Sequence, residues 1–160
     1  MYNTKLEKLG VRIQMQKKIK VLLIEDDYDA ATQVVQYLEN VGFELDISET
    51  AVDGLLKLSA EHYDLLLLDL SLPDFSGFEV IKQINNRTNI PIIVLSSHSD
   101  LANKVQAFRF GVDDYLCKPF MLEELEVRMW AILKRCSMIK LEFNKNNLAI
   151  DYNNQIILLN

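Results

Sequence analysis

Long apolar runs are missing from this sequence of 160 residues. Runs such as Leu65 to Leu68 fall far short of the ~20 residues that span a bilayer, and the basic head lacks the apolar core of a signal peptide. Cysteine is scarce. Cys117 and Cys136 are the only two, with neither C-x-x-C spacing nor the pairing pattern of a secreted framework, so a reducing cytoplasm is the expected compartment. An excess of base is missing too. Residues 1–20 hold six Lys or Arg against one Glu, but the remainder holds eleven against twenty-two acids, for a net charge of −6. An acidic body repels a phosphate backbone, which excludes a nucleic-acid surface on it, and the basic head is too sparse to reverse that.

What is present is the balance of a globular protein: 49% apolar and 25% charged residues, enough to bury a core and to exclude disorder as the main state. The length allows one ordinary domain of ~100 to 150 residues and a short remainder. From residue 20 apolar runs alternate with segments of helical period. Lys20 to Glu25 reads as a strand whose continuous run Val21-Leu-Leu-Ile24 implies burial on both faces. Ala31, Val34, Val35, Leu38 and Val41 follow at helical spacing, and Gly42 stands where a left-handed cap would end that helix.

The unit then repeats. Phe43–Ser48, Asp64–Asp69, Pro91–Ser96 and Asp114–Cys117 read as strands. Ala51–Ala60, Gly77–Asn86, Leu101–Phe110 and Met121–Arg135 read as helices, the second behind a Ser76-x-x-Glu79 capping box and the third stopped at Gly111. The economical fold is α/β, a doubly wound (βα)₅ parallel sheet. After Cys136 the texture changes to short runs at Ile139–Phe143, Leu148–Tyr152 and Ile156–Leu159 separated by Asn pairs. These predict a small antiparallel meander, too short to bury a core alone.

In an open parallel sheet, ligands collect beyond the carboxyl ends of the strands. The first strand ends there in Glu25-Asp26-Asp27, the third in Asp69 and the fourth in Ser96, and the fifth runs into Lys118-Pro119. Converging carboxylates repel one another unless a cation or a proton intervenes. Oxygen ligands without His or Cys suit Mg²⁺ (or Mn²⁺), which takes one or two carboxylates and leaves room for a phosphate oxygen. Lys118 offers a compact positive charge to a phosphate and Ser96 a hydroxyl donor. One acid is then free to act as nucleophile and form an acyl phosphate, and Asp69 stands most centrally.

The motifs V-L-L-I-E-D-D (21–27), L-L-L-L-D-L-S-L-P-D-F-S-G-F-E-V (65–80), P-I-I-V-L-S (91–96) and G-V-D-D-Y-L-C-K-P-F (111–120) together resemble the receiver domain of bacterial response regulators, of the OmpR and PhoB subfamily. The resemblance covers about residues 19–136. It implies a flavodoxin-like, or CheY-like, sheet of strand order 2-1-3-4-5, with residues 1–18 as an N-terminal extension. It also implies that residues 137–160 are a linker and the opening β-strands of a truncated winged-helix domain, DNA being contacted only through the missing part. Glu25 and Asp26 would be the acidic pair, with Asp26, Asp69 and the Ser71 carbonyl as metal ligands. Asp69 would be the phosphoacceptor, served by a sensor histidine kinase, with Ser96 and Lys118 on the phosphoryl group. Pro119 would follow a cis peptide and Tyr115 would be the aromatic that turns inward on activation. A homodimer through the fourth helix, fifth strand and fifth helix would pair Lys104 with Glu124, Asp114 with Arg128 and Asp113 with Arg135.

Plainer readings stand beside these. Tyr115 without the resemblance is a half-buried packing residue, Cys117 a small buried hydrophobe, and the charge pairs an ordinary solvated face. His62 has no partner acid at ligand spacing, and His98, two residues past Ser96, reads as an exposed loop residue within reach of the phosphate mouth. An enzyme of the haloacid dehalogenase phosphatase class also uses an aspartate nucleophile with Mg²⁺, but expects a second aspartate two residues on. Ser71 occupies that position and removes the general acid, so the expectation is a phosphoacceptor rather than an enzyme acting on outside substrates.

Overall fold

The computed structural model of the chain describes residues 18–86 and 88–136 and two strands, residues 148–151 and 155–158. The apolar runs become strands β1 (Lys20–Ile24), β3 (Leu65–Leu68) and β4 (Ile92–Ser96), buried almost throughout because helices cover both faces of the sheet. β2 (Glu44–Ser48) and β5 (Asp114–Cys117) complete a five-stranded parallel sheet of order β2-β1-β3-β4-β5. The helices are α1 (Tyr28–Asn40), α2 (Ala51–Ala60), α3 (Gly77–Asn85), α4 (Leu101–Arg109) and α5 (Leu122–Arg135). The doubly wound fold is the one expected from the alternating pattern, and its strand order is the one the resemblance implies.

Helix ends follow local chemistry. Side chains of Asp27, Thr50 and Asp100 accept from Ala30, Asp53 and Asn103 N–H at the starts of α1, α2 and α4, satisfying donors that a first helical turn leaves without partners. Gly42 (φ 104°) and Gly111 (φ 86°) take the left-handed conformation after α1 and α4, where a side chain would be strained. The capping box at α3 is half made. Ser76 accepts from Phe78 N–H at 3.3 Å, but Glu79 turns to Lys82 at 2.7 Å rather than back to Ser76, because a neighbouring ammonium is a stronger partner than an amide that water can reach.

Leu22, Ile24, Leu66, Leu68, Ile92 and Val94 form one side of the core, none more than 2% exposed, and each such side chain contributes about 1.5–3 kcal/mol by leaving water. Gly54 lets α2 lie close upon β1, since a Cβ there would sit 2.2 Å from Ile24 Cδ1. β6 (Leu148–Asp151) and β7 (Gln155–Leu158) form a separate antiparallel pair, in register with the last two runs of the expected meander. Its first run, Ile139–Phe143, and residues 1–17 of the N-terminal extension lie outside the described residues.

Candidate functional site

Sheet register gathers the site. Ile24 pairs with Leu68, Leu68 with Val94 and Ser96 with Cys117. The next residues outward on β1, β3 and β5 are therefore Glu25, Asp69 and Lys118, side by side at one edge, with Ser96 ending β4 between them. Backbone bonds fix the exits: Asp69 N–H donates to Ile24 O, Glu25 N–H to Ser48 O and Lys118 N–H to Ser96 O, each at 2.9 Å. The Lys118–Pro119 peptide is cis.

Carboxylate oxygens of Glu25, Asp26 and Asp69 lie within 4.8 Å of one another. Glu25 and Asp69 are buried, at 3% and 5% exposure, whereas Asp26 is exposed. The Lys118 ammonium bridges the buried pair, donating to Glu25 Oε2 at 2.5 Å and to Asp69 Oδ2 at 2.7 Å. Asp69 Oδ1 accepts from Ser71 N–H at 2.9 Å and Glu25 Oε1 from Asp27 N–H at 3.3 Å. Burial pushes the Glu25 carboxyl above its ordinary range, against the pull of Lys118. Burial also works against the Lys118 ammonium, but its bonds to Asp69 and Glu25 outweigh that and hold its pKa above the usual lysine value.

Ser96 is fully buried, and its hydroxyl lies 3.1 Å from His98 Nδ1 and accepts from His98 N–H at 3.2 Å. The Tyr115 ring is 8% exposed, and its hydroxyl donates to His98 O at 2.6 Å. Both residues expected to act as the switch are therefore tied to residue 98, the ring already facing inward. His98 itself is exposed, as expected, but engaged with Ser96. His62 does have an acidic neighbour, Asp64 Oδ1 at 3.2 Å from Nε2. Cys117 is half-buried against the apolar core, close to the small buried hydrophobe expected, and Cys136 is exposed.

Three of the six charged positions of the expected dimer face, Asp114, Glu124 and Arg128, meet inside one chain. Arg128 grips both oxygens of Asp114 (3.1 and 2.8 Å) and also Glu124 (3.0 and 2.8 Å). Asp113 accepts from Ile92 N–H at 2.9 Å. Lys104 is half-buried on α4 and Arg135 exposed at the end of α5. Gly77, read from sequence only as a helix start, has a second role: a Cβ there would lie 2.6 Å from Asp69 O and 2.7 Å from Leu70 Cα.

A family described as "Response regulator receiver domain" matches residues 21–129. Transcriptional regulatory protein CiaR of Streptococcus pneumoniae is 37% identical over 142 residues, which cover 88% of this chain and 60% of that protein. Response regulator ArlR of Staphylococcus saprophyticus is 40% identical over 116 residues, covering 72% of this chain and 53% of that protein. The chain thus spans little more than half the length of these relatives. Among solved structures, a CheY-like receiver domain protein from Methanospirillum hungatei superposes with a TM-score of 0.72 at 29% identity, over 76% of this chain and 98% of that one. A two-component response regulator from Clostridium difficile gives 0.72 at 32%, over 74% and 98%.

Proposed function

The chain belongs to the response regulator receiver domains and carries the receiver of a two-component system, and on that premise we propose that Asp69 accepts a phosphoryl group from a sensor histidine kinase in a Mg²⁺-dependent transfer. The observation that carries this reading is the Asp69 carboxylate itself, at the mouth of the sheet within an oxygen-only acidic cluster and bound to the half-buried Lys118 ammonium. The cluster fits a hard divalent cation: Asp26, Asp69 and the Ser71 carbonyl would hold it, with Glu25 beside them. When bound, Mg²⁺ (or Mn²⁺) supplies positive charge against the transferring group.

An Asp69 oxygen attacks phosphorus and the N–P bond of the donor phosphohistidine breaks, its electron pair returning to the ring nitrogen, so that the donor, protonated beforehand on its other ring nitrogen, departs as neutral imidazole. Lys118 exchanges a carboxylate oxygen for a phosphoryl oxygen. Ser96 turns its hydroxyl from His98 to the phosphoryl group, and these contacts select one of two arrangements of the α4–β5–α5 face. Such selection needs a differential of a few kcal/mol, which charge-assisted bonds to Lys118 and Ser96 can supply. Asp114 then trades the Arg128 of its own chain for that of a second copy, releasing Glu124 to pair with Lys104 of that copy, with Asp113–Arg135 as the third pair. The work is one of phosphoacceptance rather than turnover of outside substrates, since Ser71 leaves no second aspartate beside Asp69. In the longer protein the output is control of transcription through a DNA-binding domain. A cytoplasmic setting suits the kinase partner, and no helix among the described residues is long and apolar enough to cross a membrane.

Incubation with Mg²⁺ and a small phosphodonor, followed by intact-mass measurement, tests this directly. Wild type should gain one phosphoryl group and Asp69→Asn none. A folded, Mg²⁺-binding wild type that stays unmodified would sink the reading, and sustained phosphate release from ordinary monoesters would point to a phosphatase instead.

A further inference from the structure

The segment between β3 and α3 is held at both its base and its tip. At the base, Gly77 N–H donates to Leu70 O at 3.0 Å, Ser71 and Ser76 face each other as an antiparallel bridge, and Gly77 packs so tightly on Asp69 O that not even a methyl group fits. At the tip, the Asp74 side chain reaches across to α2. Its Oδ1 accepts from Ala51 N–H and its Oδ2 from Val52 N–H, each at 2.9 Å. These are the first two amides of α2, which no helical carbonyl can satisfy, while the N-cap residue Thr50 serves Asp53 N–H. One carboxylate from 23 residues away thus does much of the capping of α2, on the positive end of its dipole.

Ser71 lies inside this closed segment. A single bridge between Ser71 and Ser76 closes the base, and Asp74, bound to two amides of α2, stops the closed segment from swinging about that bridge. We infer that Asp74 is a positioning residue for the metal site: by anchoring the loop on α2, it holds Ser71 where its carbonyl completes the cation's protein ligands. Asp74 touches neither the cation nor the phosphoryl group. The inference rests on the reading of Asp26, Asp69 and Ser71 as metal ligands. It adds that metal binding and the first turn of α2 are coupled, and coupling of this kind is reciprocal: whatever α2 does for the metal, the metal must do for α2.

Mg²⁺ titration followed by calorimetry, together with hydrogen exchange at the Ala51 and Val52 amides, tests this on wild type, Asp74→Ala, Asp74→Asn and Thr50→Ala. The Thr50 variant removes a cap from the same helix without touching the loop, so it reports what mere loss of helix stability does. In wild type, Mg²⁺ should slow exchange of the two amides by at least about 5-fold, the lower end of ordinary coupling. Asp74→Ala should lose that response and bind Mg²⁺ about 5- to 10-fold more weakly, and Asp74→Asn, which keeps one acceptor oxygen, should fall between. Thr50→Ala should melt earlier yet keep both the affinity and the Mg²⁺-dependent protection. Wild-type affinity in Asp74→Ala, or an equal loss in Thr50→Ala, overturns the inference while leaving the metal site standing. A wild type that binds no Mg²⁺ overturns both.

Discussion

Replacing Lys118 by Met keeps most of the side chain's bulk and removes its charge, which puts the electrostatics of the site on trial. The ammonium is the counter-charge of two carboxylates whose side chains are only 3% and 8% exposed, and its own side chain is 20% exposed. Removing one partner from a fully buried ion pair costs about 3–5 kcal/mol, because the other charge is left stranded. The partial exposure of Lys118 means that water can enter the vacated space, so a loss of roughly 2–3 kcal/mol is expected here. Urea unfolding in the presence of a chelator measures it. The loss should depend on pH with a definite sign. Burial already holds the Glu25 carboxyl above its ordinary range, and without Lys118 it rises further. A group whose pKa is higher folded than unfolded favours folding most at low pH and loses that contribution as pH climbs through the folded value. The variant should therefore be closest to wild type in mild acid and furthest from it at about pH 8. Mg²⁺ at a hundred times its dissociation constant stabilises a folded state by about 2.7 kcal/mol. The chelator-to-Mg²⁺ gain should be larger in the variant than in wild type, where the ammonium competes for the same oxygens. A loss below about 0.5 kcal/mol, or equal gains from Mg²⁺ in both proteins, would refute the account of Lys118 as the site's resident counter-charge.

Three further perturbations follow from the geometry. Gly77→Ala forces a methyl group against Asp69 O and Leu70 Cα, backbone atoms that cannot step aside; an overpacking cost of about 1–3 kcal/mol in urea unfolding should come with slower phosphorylation by a small phosphodonor, and a silent substitution would contradict the close approach. Tyr63→Phe removes the hydroxyl that donates to Asp46 at 2.7 Å and, with Lys20, holds the Asp46 carboxyl below its ordinary range. That stabilisation is present above the unfolded carboxylate value of about 4 and lost as pH falls through the folded one, so the variant's stability should fall less steeply in acid, by under about 1 kcal/mol because the Asp46 side chain is 37% exposed. Arg128→Ala should cost the monomer only about 1 kcal/mol while abolishing dimers seen by sedimentation after phosphorylation; dimers of undiminished strength would remove Arg128 from the interface.

The sheet was legible because its signals are local. Val21 to Ile24, Leu65 to Leu68 and Ile92 to Ser96 are continuous apolar runs, and such runs bounded by helical periodicity leave few arrangements other than a covered parallel sheet. Glu25, Asp69, Ser96 and Lys118 were legible for the same reason, since each is the residue at or just past the end of a strand whose partners the register then fixes. What the sequence hid is contact between residues far apart in the chain. Nothing near Asp74 says that its carboxylate caps a helix that begins 23 residues earlier. Nothing near Gly77 says that the carbonyl of Asp69 lies where a Cβ would go. Glu79 shows the converse error: a local capping rule was applied where Lys82, one turn on, offered a charge.

The same distinction bears on how a phosphoryl signal would leave the site. Ser96 and Tyr115 come from different strands, yet the hydroxyl of one lies against the His98 ring and the hydroxyl of the other donates to the His98 carbonyl. With Nδ1 as the unprotonated ring nitrogen of His98, Ser96, which has a single hydroxyl proton, cannot donate to it and to a phosphoryl oxygen at once. The exchange of one acceptor for the other frees the side chain of the residue whose backbone holds Tyr115. Because Tyr115 is on β5, one residue from the Asp114 that Arg128 grips, a change of one hydrogen bond at Ser96 has a path of three named contacts to the charged face of α5. In the His98→Ala variant the competing acceptor is gone, so Ser96 should engage a phosphoryl mimic such as beryllofluoride more tightly than in wild type, and unchanged affinity would show that the imidazole does not compete for the hydroxyl.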